Sequence, residues 1–247
     1  MKNFIIGIIS WLPRDERRTK RQNHVIKTVE RCKKLFKNIP IVIVAQDWDD
    51  FTIEGVDIKS YDRLGIVGAR KTLQEELLKY DFDYAILLDD DATIYGNESK
   101  KFLEHFNEYE DGYCFRPYRD FTPVLKDRYM PAALNLCVIS KTILQEVAIN
   151  VEVDPEKLSG YEDYIYPLIL YKKYPEKEIK YPIGTIFTSF KTGQNIVSTW
   201  DIDKDRKTIW ENTLKIIKYV DKYAAYPEFT QDEKTKKITI LGQEEEE

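Results

Sequence analysis

"YAILLDDDATI", from Tyr84 to Ile94, decides how this chain is read. Five mostly apolar residues run into three consecutive aspartates. Like charges at contact distance repel or take up protons, and the cost grows at the end of a buried strand. One aspartate there is ordinary turn or cap chemistry. Three call for a compensating partner, and a divalent cation is one. Residues i and i+2 of an extended chain face the same side. Asp89 and Asp91 are therefore expected to face one site, with Asp90 turned away or toward another donor. Ligands made only of oxygen suit Mg2+ or Mn2+.

Outward from that stretch, the first 95 residues alternate between two patterns. "NFIIGIIS" is a continuous apolar run of the kind found in strands buried on both faces. A charged segment from Asp15 to Lys37 comes next, with Val25, Ile26, Val29, Cys32, Leu35 and Phe36 at helical spacing. "IPIVIVAQD" predicts a second buried strand, and "VDIKSYD" a short third. "GIVGARKTLQEELLKY" predicts a helix with Leu73, Leu77 and Leu78 as its apolar stripe, and "YAILLDD" is the fourth strand. Strands alternating with helices argue for an α/β fold, its central sheet mostly parallel and flanked by crossover helices. Ligands of such sheets bind beyond the carboxyl ends of the strands, where the aspartates lie.

After residue 95 the order changes. "SKKFLEHFNEY" predicts a helix, "GYCFRPYRD" a strand, and "NLCVISKTILQEVA" a strand running into a helix. "SGYEDYIYPLILYKKY" reads as a loop opening a helix, and "PIGTIFTSF" as a late strand. "TIWENTLKIIKYVDKYAA" is amphipathic, and "KKITILGQEEEE" ends in an acidic tail. The organisation expected is one domain over 1–197, with a nucleotide-binding half (1–95) and an acceptor half (96–197). A C-terminal helix and tail (198–247) extend it.

The chain has 247 residues, 43% hydrophobic and 33% charged, and a net charge of −5. No global positive field would gather nucleic acid, although a local basic groove is compatible with these numbers. Three widely spaced cysteines without CxxC spacing read as buried free thiols. The apolar run at the N-terminus is too short for a signal or membrane span, so the expected location is cytoplasmic. Nothing in the sequence speaks to oligomeric state.

The alternation leading into "LLDDDATI" resembles the GT-A glycosyltransferases with their DxD motif. The resemblance spans about residues 3–192 and implies a nucleotide-sugar donor, most often UDP-linked, lying across the carboxyl edge of the sheet. It implies that Asp89 and Asp91 hold the metal and donor, with Asp90 a further sugar or ribose contact. Carried over residue by residue, the loop after the first strand, "SWLPRDERR", supplies Ser10, Trp11 and Arg14 as donor contacts. Arg17 and Arg18, further along, equally suit a solvated helix start. "LGIVGARKTL" supplies Gly68, where the backbone can approach closely, and Arg70. Arg70 and Lys71 are read in the first helical turn, where a cation opposes the helix dipole, which favours an anion contact. "GYEDYIYPLIL" supplies Asp163 as general base and Glu162 as its neighbour. Asp47, closing the second strand, is a candidate contact to the base.

The sequence departs from that pattern in lacking a late histidine. "FTSFKTGQN" offers Ser189, Lys191, Gln194 and Asn195 instead, so either water and the diphosphate complete the metal shell or Lys191 supplies charge to the phosphate. The segment from Tyr113 to Asn135 interleaves aromatics with Arg116, Arg119, Lys126 and Arg128. It is a candidate acceptor lip for a glycan or for DNA. Compact enzymes resembling this one in phage add sugars to hydroxymethylated pyrimidines, which would place the protein in the host cytoplasm. A competing resemblance is to haloacid-dehalogenase-like phosphatases, with Asp89 as nucleophile, Asp91 as acid and Thr93 as third element. That family begins its core with the aspartate strand, however, whereas here other strands precede it. A non-catalytic domain binding metal or nucleotide-sugar is the third reading.

Overall fold

The computed structural model describes residues 1–115, 136–146, 170, 173–182, 184–189, 229–231 and 238–240. Strands β1 (Phe4–Trp11), β2 (Ile41–Gln46), β3 (Asp57–Tyr61) and β4 (Tyr84–Asp89) form where the apolar runs predict them. Helices α1 (Arg18–Leu35) and α2 (Gly65–Leu77) connect them. β5 (Thr93–Gly96), α3 (Ser99–His105) and β6 (Tyr113–Cys114) come next, then β7 (Cys137–Ser140), α4 (Lys141–Glu146) and β8 (Ile186–Ser189). β9 (Phe229–Gln231) and β10 (Ile238–Ile240) form a separate antiparallel pair.

Six strands make the main sheet, in the order β3-β2-β1-β4-β7-β6. β1 pairs parallel to both β2 and β4. β7 runs antiparallel to β4, and β6 antiparallel to β7. The sheet is therefore mixed α/β and mostly parallel, as expected, with an antiparallel margin from the second half of the chain. Among the described residues, β6 covers Tyr113–Cys114 of the predicted strand; residues 116–120 lie outside them.

Alternation along β1, β2 and β4 sorts their side chains onto two faces. Ile5, Ile9, Val42, Val44, Ala85 and Leu87 pack with Ala69, Leu73 and Leu77 of α2. Ile6, Ile8, Ile41, Ile43, Ile86 and Leu88 pack with Val25, Val29 and Cys32 of α1. Both faces being covered explains why these strands read as unbroken apolar runs. α2 lies close because Gly7 gives it room: a Cβ there would stand 2.8 Å from Leu77 Cδ1. All three cysteines are buried and free. No helix among the described residues is long and apolar enough to cross a membrane.

Consecutive connections leave β1 toward β2 on one side, while β4 returns on the other. The gap beyond the carboxyl ends of β1 and β4 is thus a topological switch point. The register sets Ile9 beside Asp89, so Ser10 and Trp11 arrive next to the three aspartates.

Candidate active site at the aspartate turn

β4 stops at Asp89, and Asp90 and Asp91 form a turn. The Ala92 N–H donates to the Asp89 carbonyl at 3.2 Å. Strand alternation therefore does not set the facing of the last two aspartates, contrary to expectation; their partners do. Asp90 is 1% exposed. Its carboxylate accepts from the Ser10 hydroxyl and from two nitrogens of Arg21. Arg21 also donates to Asp91 Oδ2 at 3.1 Å. Asp89 Oδ1 accepts from Arg70 at 2.5 Å. The side chains of Asp89 and Asp91 keep 19% and 17% exposure.

The carboxylates thus find cations within the chain. Burial pushes the Asp90 carboxyl up to about 7, against the pull of Arg21. Burial raises Asp91 as well, again against Arg21. For Arg21 burial opposes the charge, but Asp90 and Asp91 outweigh it and hold the guanidinium above its ordinary range. His24, one turn along α1, is lowered by burial although Asp91 draws it the other way.

The first helical turn predicted for Arg70 is not where it lies. With α2 starting at Gly65, it is the sixth residue, buried at 4%. The dipole argument therefore does not apply; the anion it meets is Asp89. Ser10 and Asp90, both read as donor contacts, meet each other. Gly68 sits on α2, with Leu64 Cβ 3.2 Å from where its own Cβ would be.

Beyond β1 lies a second polar group. Trp11 Nε1 donates to Asp47 Oδ2 at 3.1 Å, and Arg14 donates to Asp47 Oδ1 at 3.2 Å. Arg14 is 70% exposed. The Arg63 guanidinium stacks over the Trp11 ring, 3.7 Å from its centroid. Arg18 donates to the Asp47 carbonyl at 3.0 Å and to Asp49 Oδ2 at 2.8 Å. Asp47 and Asp49 both have positive φ, at 57° and 50°, a conformation that Asp tolerates better than most residues. Arg18 is thus a brace for this loop, and Arg17 pairs with Asp15.

Glu162, Asp163 and Lys191 lie outside the described residues, as do Gln194 and Asn195. The strand leading to Lys191 is described. β8 pairs antiparallel with β5, setting Ser189 opposite Thr93, two residues past Asp91.

Arg21 and Arg63 were missed by sequence reasoning. Arg21 had a signal: it precedes Val25 by four residues and Thr28 by seven, which puts it on the buried stripe of α1. Arg63 had none, because its stacking depends on a loop brought in beside β1.

As to a metal, no group of three or more His, Cys, Asp or Glu among the described residues is arranged to hold one. Asp89 and Asp91 still fit a hard cation that keeps water and phosphate oxygens in its shell. They do not make a closed protein cage.

Solved structures share this architecture. S. aureus TarS 1–349 matches with a TM-score of 0.58 and 10% identity, over 91% of this chain and 66% of that one. The same TarS segment in complex with UDP also scores 0.58. Mannosyltransferase PcManGT from Pyrobaculum calidifontis, in complex with GDP-Man and Mn2+, scores 0.57 at 11% identity. That match covers 88% of this chain and 64% of the mannosyltransferase. The fold is GT-A-like. This chain spans about two thirds of these GT-A-like neighbours and 40% of a longer TarS structure. No protein-family model matches it, and no curated protein does.

Proposed function

We propose that this chain is a glycosyltransferase that moves a sugar from a nucleoside-diphosphate sugar, UDP-linked in the first instance, to a hydroxyl acceptor. The observation that carries this reading is the aspartate turn. It sits at the switch point of a GT-A-like sheet, with Asp89 and Asp91 partly accessible and braced by the buried Arg70 and the partly buried Arg21. Among the GT-A-like neighbours are complexes with UDP, UDP-GlcNAc and GDP-Man with Mn2+, which supports both the donor class and the cation.

In this reading Trp11, steadied by Asp47 and faced by Arg63, offers an aromatic surface to the nucleobase. Arg14 and Lys191 offer charge to the donor. Asp89 and Asp91 hold Mn2+ or Mg2+, which when bound supplies Lewis-acid charge to the leaving diphosphate. Asp163, with Glu162 beside it, takes the acceptor hydroxyl proton. The acceptor oxygen bonds the anomeric carbon as the bond to the diphosphate oxygen breaks, and the diphosphate departs with the electron pair. The acceptor class is a hydroxymethylated pyrimidine in DNA or a glycan hydroxyl, met by the basic, aromatic 113–135 segment. Weak DNA binding that disappears as salt rises favours the former.

The phosphatase reading needs Asp89 as an open nucleophile, and Arg70 occupies one of its oxygens. The aspartate strand is also fourth in the chain.

The test is a thermal-shift panel of nucleotide-sugars with and without Mn2+. A ligand bound only by the folded state raises Tm. Stabilisation by one sugar nucleotide, with hydrolysis of that donor lost in Asp91→Ala, is the expected result. Phosphate-ester hydrolysis without any sugar-nucleotide binding would overturn it.

A further inference from the structure

Arg21 already stands where a cation is needed. It forks onto Asp90 and reaches Asp91 with one further bond of 3.1 Å. The two contacts differ in kind. Asp90 is fully enclosed, so its fork cannot be given up without burying an unpaired charge. The Asp91 contact is single, and Asp91 is partly open to solvent. Arg21 can therefore release Asp91 and remain compensated by Asp90.

The charge count points the same way. Among the described residues, three carboxylates face two guanidiniums, Arg21 and Arg70. With all of them ionised, one negative charge is left over. That is a weak attraction for a free divalent ion, especially with one Asp91 oxygen taken. A diphosphate brings both negative charge and oxygen ligands.

We propose that Arg21 is a gating counter-cation: it holds Asp91 in the ligand-free protein, so that a divalent ion binds only together with a nucleoside diphosphate, as the Arg21–Asp91 bond opens. This rests on the metal-dependent transferase reading. It makes Arg21 a positioning residue that touches neither donor nor acceptor.

The experiment is Mn2+ titration of the full chain, monitored by the EPR signal of the free ion, alone and with UDP or GDP. Wild type is expected to bind Mn2+ weakly by itself and about tenfold or more tightly with one of the nucleotides. Arg21→Gln removes one positive charge beside Asp91, so its ligand-free Mn2+ affinity should rise by about tenfold or more. The gap between the two conditions should then narrow. Thr28→Val loosens the same turn without changing charge. If Arg21 only braced the turn, both variants would weaken Mn2+ binding alike. A folded Arg21→Gln that binds Mn2+ no more tightly than wild type overturns the gate. Should that variant not fold, the Arg21 Nε–H signal in NMR of wild type decides. It should move with Mg2+ plus nucleotide but not with Mg2+ alone, and a signal unmoved by both overturns the gate. Wild type that binds no Mn2+ with either nucleotide removes the metal reading itself. Binding that Arg21→Gln leaves unchanged removes only the role of Arg21.

Discussion

Helices α1 and α2 cover opposite faces of one sheet, and each sends an arginine to the same turn, partly buried from α1 and buried from α2. They do so differently. α2 contributes Arg70 to Asp89, packs Ala69, Leu73 and Leu77 into the core, and donates from Gln74 to the Leu144 carbonyl. α1 carries a polar row beside its apolar one. Arg21 holds Asp90 and Asp91, and Thr28 donates to the Asp90 and Ala92 carbonyls at 2.9 and 3.1 Å. Arg31 donates to the Ile94 and Gly96 carbonyls at 3.0 and 2.5 Å. One helix thus pins a point, while the other grips the whole stretch from 90 to 96. A site that must place carboxylates gains from this arrangement. The core fixes the end of β4, and α1 shapes the turn and the short strand beyond it through side-chain donors.

The contrast can be broken at its strongest contact first. Arg21→Ala leaves one fully buried and one partly buried carboxylate uncompensated. We expect a loss of about 3–5 kcal/mol in urea unfolding. Arg70→Ala should cost less, about 3 kcal/mol at most, because Asp89 has access to water. Equal losses would mean that the two helices hold the turn alike. Gly96→Ala tests the far end of the gripped stretch. Gly96 has φ +85°, and an added Cβ would stand 2.2 Å from the Thr185 carbonyl. Strain of about 1–3 kcal/mol is expected, with loss of the β5–β8 pairing seen in hydrogen exchange. The smallest effect is Thr28→Val, which removes the one hydroxyl donor that the Asp90 and Ala92 carbonyls share, at about 1 kcal/mol. A larger loss there than at Arg70 would shift the weight of the clamp to the backbone.

The parts visible in the sequence are those with local signals. β1, β2 and β4 show because strands buried on both faces must be apolar throughout. The aspartate turn shows because three adjacent carboxylates need an explanation. Arg70 stands out for its charge near a helix start, although for a reason the helix boundary does not support. Arg21 escapes notice because it sits in "RRTKRQN", among cations that mostly face water, and only its spacing from Val25 and Thr28 marks it. β5 escapes for a different reason. "TIYG" is four residues long, and its partner β8 lies about ninety residues away. Pairing over that distance leaves no local trace. Asp163, Glu162 and Lys191 rest on the sequence alone.

The three enclosed thiols amount to a set of built-in clocks. Burial pushes Cys32 up to about 12 and raises Cys114 and Cys137 as well, so none reacts with a labelling reagent while its surroundings stay closed. Cys32 belongs to α1, and the other two to the antiparallel margin of the sheet. The rate at which Cys32 is modified therefore times the opening of one flank, and the rates of Cys114 and Cys137 time that of the other.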